Sequence, residues 1–204
     1  PAALAGQMLA MGEAARAASA AVAKAGPDTR TAALKAMAKR LRDSTAQILE
    51  ANAKDMEAAR TKGISGAMLD RLELTPSRIE AMAKGVEDVA NIPDPVGTVL
   101  ATWERPNGLQ MSRVRGPIGV IGIIYESRPN VTADAGALCL RAANAVILRG
   151  GSESLNSSRV IADCLRAGLA DVGLPADAIQ LVQTADRAAV GHILSGLNGK
   201  LDVV

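Results

Sequence analysis

At 204 residues the chain is long enough for one good core, or for a core with an appendage. Its apolar fraction of 49% is ordinary for a globular protein, but 1% aromatic residues and no Phe mean a core of Ala, Leu, Val, Ile and Met, packed with helices close together. A formal charge of +2 from 23 basic and 21 acidic residues, without a Lys/Arg stripe or an aromatic platform, argues against nucleic acid as a partner.

The N-terminal "PAALAGQMLAMGEAARAAS" lacks a basic start and carries Glu13, so no signal peptide is expected. No apolar run approaches the length that crosses a bilayer, and a cytoplasmic location is the expectation. The first ninety or so residues read as helices. An Ala-rich one ends at Gly26-Pro27. A second, with Asp28 as its N-cap, runs to about Arg60 and keeps Leu34, Met37, Leu41, Ile48 and Leu49 on one face. A third begins with Thr75 as cap and Pro76 at the first helical position, and must stop before Pro93.

The period then changes. "GTVLATW" and "LQMSRVR" flank "ERPNG", whose Asn107-Gly108 is a hairpin signal. Gln110 and Ser112 alternate with Leu109 and Met111 as in a half-exposed ribbon, which suits either an interaction element or a plain edge hairpin. From Gly116 onward the pattern is strand–helix–strand. Apolar strands are expected at 118–124, 145–148, 179–182 and 201–204, with helices at about 130–142, 154–170 and 186–196. Right-handed crossovers make this an α/β fold, an open, doubly wound parallel sheet. The chain stops inside the last of these strands, and further residues are expected beyond Val204.

Chemistry-bearing residues gather at two strand ends. In "GPIGVIGII", Gly116, Gly119 and Gly122 mark either close approach of a ligand or tight packing. In "NAVILRGGSESLNSSRV", Arg149 ends a strand, Gly150-Gly151 makes the turn, and Ser152, Glu153 and Ser154 open a helix. Bare backbone before a helix N-terminus suits a phosphate, Arg149 could pair with it, and Glu153 could hold a ribose hydroxyl. A capped helix after a glycine turn is the alternative. In "YESRPN", Pro129 keeps Arg128 extended, and its guanidinium fork suits a carboxylate or phosphate. Asn130 and Thr132 are also candidate caps for the next helix. Cys139 and Cys164 lie on apolar helical stretches without CxxC spacing, which reads as core thiols in a reducing compartment rather than a metal site. His192 has no Asp, Ser or Cys constellation near it. No convincing nucleophile emerges.

Taken together, "RGPIGVIGIIYESRPNVTADAGALCLRAANAVILRGGSESLNSS" closely resembles the γ-glutamyl phosphate reductases (glutamate-5-semialdehyde dehydrogenases) of the aldehyde dehydrogenase superfamily. "GLPADAIQLVQTADR", "ANAKDMEAAR" and "LTPSRIEAMAKGVEDVA" extend the likeness over essentially the whole chain. The resemblance implies a Rossmann-like NADP-binding part at 116–204, preceded by helices at 1–95 and a β-hairpin at 96–115 that helps form a homo-oligomer. A catalytic domain would lie beyond 204. It also implies a reaction, the second step of proline biosynthesis. A cysteine thiolate attacks γ-glutamyl phosphate and expels phosphate, and NADPH reduces the thioester to glutamate 5-semialdehyde. Neither Cys139 nor Cys164 matches that nucleophile, so the 204 residues alone are not expected to catalyse.

Carried onto this chain, the resemblance assigns Arg149 to the 2′-phosphate of NADP, and Gly150, Gly151, Ser152 and Glu153 to the adenosine ribose. The backbone of Ile124, Tyr125, Glu126 and Ser127 would run beside the nicotinamide. Asn130 is the candidate oxyanion donor, and Arg128 the candidate substrate-binding residue. Association with a glutamate 5-kinase is a further implication; no metal is. Two other functions remain open: an NAD-dependent oxidiser of free aldehydes, and a nucleotide-binding or oligomerisation module without catalysis.

Overall fold

A computed structural model describes residues 2–204 as eight α-helices, a two-stranded antiparallel ribbon and a three-stranded parallel sheet. Helix α1 (Ala2–Lys24) buries Met8, Ala15, Ala18 and Val22, spaced to fall on one face. Helix α2 (Pro27–Asp43) is capped by Gly26 rather than by Asp28. Pro27 takes the first helical position, which moves Asp28 into the first turn, where its charge complements the helix dipole.

The single helix expected to Arg60 is two. Ser44, at φ −99° and ψ 12°, separates α2 from α3 (Thr45–Thr61). Asp43, Ser44 and Thr45 all favour local hydrogen bonds over helix continuation, and the Thr45 hydroxyl donates to the Arg42 carbonyl at 2.7 Å. Short α4 (Ala67–Leu72), which was not expected, inserts Leu72 into a small cluster with Met56 and Ala59. Six residues are too few for a helical period to show. Helix α5 (Pro76–Asn91) starts as expected, with the Thr75 hydroxyl accepting from the Arg78 amide at 3.2 Å.

Strands β1 (Val99–Glu104) and β2 (Gln110–Val114) pair antiparallel, with Trp103 opposite Met111 and Gly108 at φ +83° in the turn. The ribbon is exposed on both faces, not half-exposed, because among the described residues no layer packs beneath it.

The parallel sheet runs β3 (Val120–Ile124), β4 (Ala145–Arg149), β5 (Ile179–Leu181). The expected strand at 201–204 is reduced to one parallel bridge, Ile121 to Val203, beside β3. The Gly122 amide donates to the Val203 carbonyl at 2.8 Å, and the Asp202 amide to the Val120 carbonyl at 2.9 Å. Counting that segment, the spatial order reverses at β3. Right-handed crossovers then place α6 (Pro129–Arg141) and α7 (Leu155–Ala170) on one face and α8 (Ala188–Leu194) on the other. The packing agrees, since α6 meets α7 and β4 while α1 meets α8 and the sheet.

Helix α2 covers α7 and α5 from outside, so the helical layer and the sheet share one core. The shortage of aromatics has the expected consequence: a Cβ on Gly168 of α7 would sit 2.6 Å from the Met37 backbone nitrogen of α2. Gly119 and Gly122 also serve packing. At Gly119, φ is +125° and a Cβ would meet Asp202 Oδ2 at 2.1 Å, while at Gly122 it would meet Ile193 at 3.0 Å. Nothing lies within 4 Å of a Cβ on Gly116. The architecture is the expected α/β one: a Rossmann-like open parallel sheet preceded by a helical layer and a protruding hairpin.

Candidate active site

The ends of β3 and β4 meet beside the point where the strand order reverses. Ile124, the last residue of β3, pairs in register with Arg149, and the Tyr125 amide donates to the Arg149 carbonyl at 3.0 Å. Tyr125 then turns inward. Its ring lies over Gly150, where a Cβ would be 3.0 Å from a ring carbon, and its hydroxyl bonds Thr132 Oγ1 at 2.8 Å. Burial raises the Tyr125 pKa above that of a free phenol, so the side chain stays neutral. A Cβ on Gly151 would be 1.9 Å from Ser127 Oγ and 2.8 Å from the Ser127 nitrogen. The glycine pair lets the 125–127 loop press against the β4 turn. The bare backbone expected to cradle a phosphate is covered by the chain itself.

The helix N-terminus is likewise taken. After a 3₁₀ turn at Ser152–Ser154, α7 begins, and Asp55 of α3 supplies the anion. Its carboxylate accepts from the Asn156 amide at 3.2 Å, the Ser157 amide at 2.8 Å and the Ser157 hydroxyl at 2.6 Å. Those donors would otherwise be unsatisfied, so this end of α7 is no landing place for a phosphate. One turn away on α3, buried Asn52 donates to Ser157 Oγ at 3.1 Å and accepts from the Leu74 amide at 2.8 Å. Sequence reading missed both residues because their partners lie up to about a hundred positions away.

Beside this scaffold, a cavity of about 410 Å³ is lined by Arg149, Gly151, Ser152, Glu153, Ala185 and Arg187, among others. Arg149 is buried and donates to two carbonyls, those of Gly150 and Ala185, while its Nε has no partner. A buried cation without a carboxylate is costly and is relieved by an anionic ligand. Glu153 accepts from the Ser127 hydroxyl at 2.6 Å and the Ser152 hydroxyl at 2.8 Å, with Lys62 Nζ at 3.7 Å. The Ser127 bond leads the effects that hold its carboxyl down at about 2. Glu153 is therefore an ionised hydroxyl acceptor at any neutral pH. Lys62 and Arg187 carry no pattern that would have singled them out.

On the far side of residues 125–127 lies a second cavity, of about 430 Å³. Arg128, extended at φ −121° as Pro129 requires, stands at the N-cap position of α6. Its Nε donates to Glu126 Oε2 at 3.2 Å, and Arg71 Nη1 approaches the same oxygen at 3.5 Å. Neither Asn130 nor Thr132 caps α6, contrary to that alternative. Thr132 is buried against Tyr125, and Asn130 Nδ2 donates to Asp134 Oδ2 at 3.1 Å. Burial raises the Asp134 pKa, and the Asn130 bond opposes it. Tyr125, Glu126 and Ser127 thus turn to the core, to this arginine-lined cavity and to the Glu153 side respectively.

Other candidates fall away. Cys139 and Cys164 are buried core thiols; burial raises both pKa values, Cys139 to about 11. His192 is half-buried on α8, outside the lining of both cavities. A larger cavity of about 670 Å³ lies between α1, α7 and β5, where Gln180 already bonds the Met11 carbonyl at 2.9 Å and Arg166 bonds Asp177 at 3.2 Å. Among the described residues there is no cluster of metal-binding side chains and no helix long and apolar enough to cross a membrane.

Known proteins agree with the resemblance seen in the sequence. The chain is 64% identical to the γ-glutamyl phosphate reductase of Rhodospirillum rubrum over 199 residues, 98% of this chain and 46% of that protein. It superposes on the crystal structure of γ-glutamyl phosphate reductase from Thermotoga maritima with a TM-score of 0.87 and 40% identity, over 90% of this chain and 44% of that one. For the Saccharomyces cerevisiae protein of the same name the values are 0.83 and 34%, over 88% and 46%. The chain therefore spans less than half the length of these relatives. Residues 1–198 match the aldehyde dehydrogenase family as a whole, and the chain belongs to that family.

Proposed function

We propose that this chain forms the cofactor-binding part of a γ-glutamyl phosphate reductase and uses NADPH. The observation that carries this is Arg149, a buried cation without a carboxylate partner, beside the ionised acceptor Glu153 at the strand ends where α/β sheets take nucleotides. Similarity to reductases over nearly the whole chain supports the same reading. NADPH, when bound, supplies hydride to an acyl group.

The chain's own residues bind and orient. Arg149 meets the 2′-phosphate, and Glu153 with Gly150, Gly151 and Ser152 holds the adenosine ribose. The backbone from Ile124 to Ser127 flanks the nicotinamide. Arg128 holds an anionic group of γ-glutamyl phosphate. The Asn130 amide nitrogen carries two hydrogens, one given to Asp134, and the second is available to a developing oxyanion. Because Cys139 and Cys164 are buried and protonated, the attacking thiolate comes from outside these 204 residues. In this proposal residues 1–95 support the NADP-binding part at 116–204, and the exposed hairpin at 96–115 joins copies into an oligomer.

Titration of NADPH and NADH against the chain and its Arg149→Ala variant tests the cofactor role. Loss of a charge-assisted hydrogen bond should weaken NADPH by about 1.5–3 kcal/mol and NADH much less. Equal weakening removes the 2′-phosphate from Arg149. Failure of the unmodified chain to bind NADPH removes the cofactor reading itself.

A further inference from the structure

The arginine-lined cavity keeps its positive and negative charges apart. At its mouth, Arg128 and Arg71 share the single carboxylate of Glu126 and form the positive pole, while Glu73 of the same lining pairs with neither. Arg78 is not spare. It donates to the carbonyls of Asp70 and Glu73 at 2.5 and 2.9 Å and to Asp70 Oδ1 at 2.7 Å, clasping the link between α4 and α5. Deeper along α6, Asp134 carries the opposite charge. The cavity's arginines pair elsewhere, so this half-buried carboxylate has only the neutral Asn130 amide on Oδ2. Gly85 of α5 stands near Oδ1, where a Cβ would just touch it at 3.9 Å, so no side chain from that position covers the oxygen. Six residues of helix set the two poles about 9 Å apart along the axis, a gap that two side chains and a small ligand can span.

A positive pole and a negative pole on one cavity wall match a zwitterion. Accepting the reductase reading of the neighbouring site, we infer that this cavity recognises the α-amino-acid head of the substrate, Asp134 taking the ammonium and Arg128, with Arg71, the α-carboxylate. The acyl end is then directed toward Asn130 and the 125–127 loop, where the cofactor side begins. Asp134 becomes a specificity-determining residue: it selects an amino acid over the corresponding dicarboxylic acid derivative.

The test compares two probes on the chain itself by ligand-detected NMR titration. L-Glutamine presents the zwitterion with a neutral γ-acyl group, and 4-carbamoylbutanoate is the same molecule with hydrogen in place of the ammonium. L-Glutamine should bind tighter by about tenfold or more, the scale of one charge-assisted contact. Asp134→Asn should erase that ratio, leaving 4-carbamoylbutanoate unchanged, and Arg128→Gln should weaken both probes. Equal affinity of the two probes for the unmodified chain, no binding of L-glutamine, or an Asp134→Asn variant that keeps the ratio overturns the inference. The probe comparison needs no variant, so a misfolded mutant does not decide it. NADPH titration of the same samples separates the two readings: cofactor binding with indifferent probes sinks this inference alone, and selective probes without cofactor binding sink the reductase reading alone.

Discussion

The two cavities are linked by residues 125–127, where Glu126 bonds Arg71 and Arg128 on one side and Ser127 bonds Glu153 on the other, yet they are built by different means. The Glu153 side is made from two contiguous runs, Arg149 to Glu153 and 185–191, and held by backbone packing of Gly150 and Gly151 against the loop. The Arg128 side is assembled from α4, α5 and α6 and joined by exposed ion pairs. Their carboxylates also behave oppositely. Glu153 is stabilised as an ion by hydroxyl donors, whereas Asp134 is penalised as an ion by burial. One wall is a rigid product of local sequence. The other keeps an unsatisfied charge at a cost in stability.

The sharpest way to break this contrast is at Asp55. Asp55→Ala strips the N-terminus of α7 of its acceptor, and with several donors left buried the loss should be on the order of 3 kcal/mol in urea unfolding. NADPH binding should weaken with it, while L-glutamine binding stays close to that of the parent. Equal damage to both ligands would mean that the cavities are one cooperative unit.

Gly151→Ala comes next. The new Cβ collides with Ser127, and overpacking of that kind costs about 1–3 kcal/mol. Displacement of the shared loop should weaken ligands on both sides, which thermal unfolding and the two titrations would show together. An unchanged midpoint would mean that the loops are not pressed together.

Acid titration separates the carboxylates. Glu153 has a folded pKa of about 2 against an ordinary 4.5, so its stabilisation is complete above pH 4.5 and is lost as pH falls through about 2. Glu153→Gln should therefore be the less stable chain at neutral pH, by on the order of 1 kcal/mol, with the gap closing over that window. Asp134 has the opposite sign, because its folded pKa lies above the ordinary 3.8. Asp134→Asn should unfold at slightly higher denaturant than the parent at neutral pH, and the difference should vanish below pH 3.8. A destabilised Asp134→Asn would show that its bond to Asn130 outweighs the burial.

Arg71→Gln is the smallest change. The 3.5 Å pair with Glu126 is exposed, and stability should move by less than about 1 kcal/mol, leaving any effect on ligand binding cleanly visible.

Legibility followed distance along the chain. The contiguous Arg149–Glu153 run, the extended Arg128 before Pro129, the Thr75 cap and the Asn107-Gly108 turn were all apparent, because each is decided within a few residues. Local chemistry was misread where a neighbour competed. Pro27 displaced Asp28 from the cap, and Tyr125 claimed Thr132. Asp55, Asn52, Lys62, Arg71 and Asp134 carried no signal, since each matters through a partner brought from another element or by a gap left in the packing.

What the sequence determined by itself is the parallel α/β order, the close-packed core forced by small aliphatic residues, and the placement of polar groups at two strand ends. Those are properties of period and composition. Only the tertiary structure decided that Gly150 and Gly151 serve the loop rather than a phosphate, and that Asp55 already occupies the α7 N-terminus. It also decided that Arg149 is buried without a carboxylate beside it and that Asp134 has only the neutral Asn130 amide. The reason is physical. A charge is compensated or stranded by what stands within a few ångströms of it in space, and here those neighbours come from helices far apart in the chain.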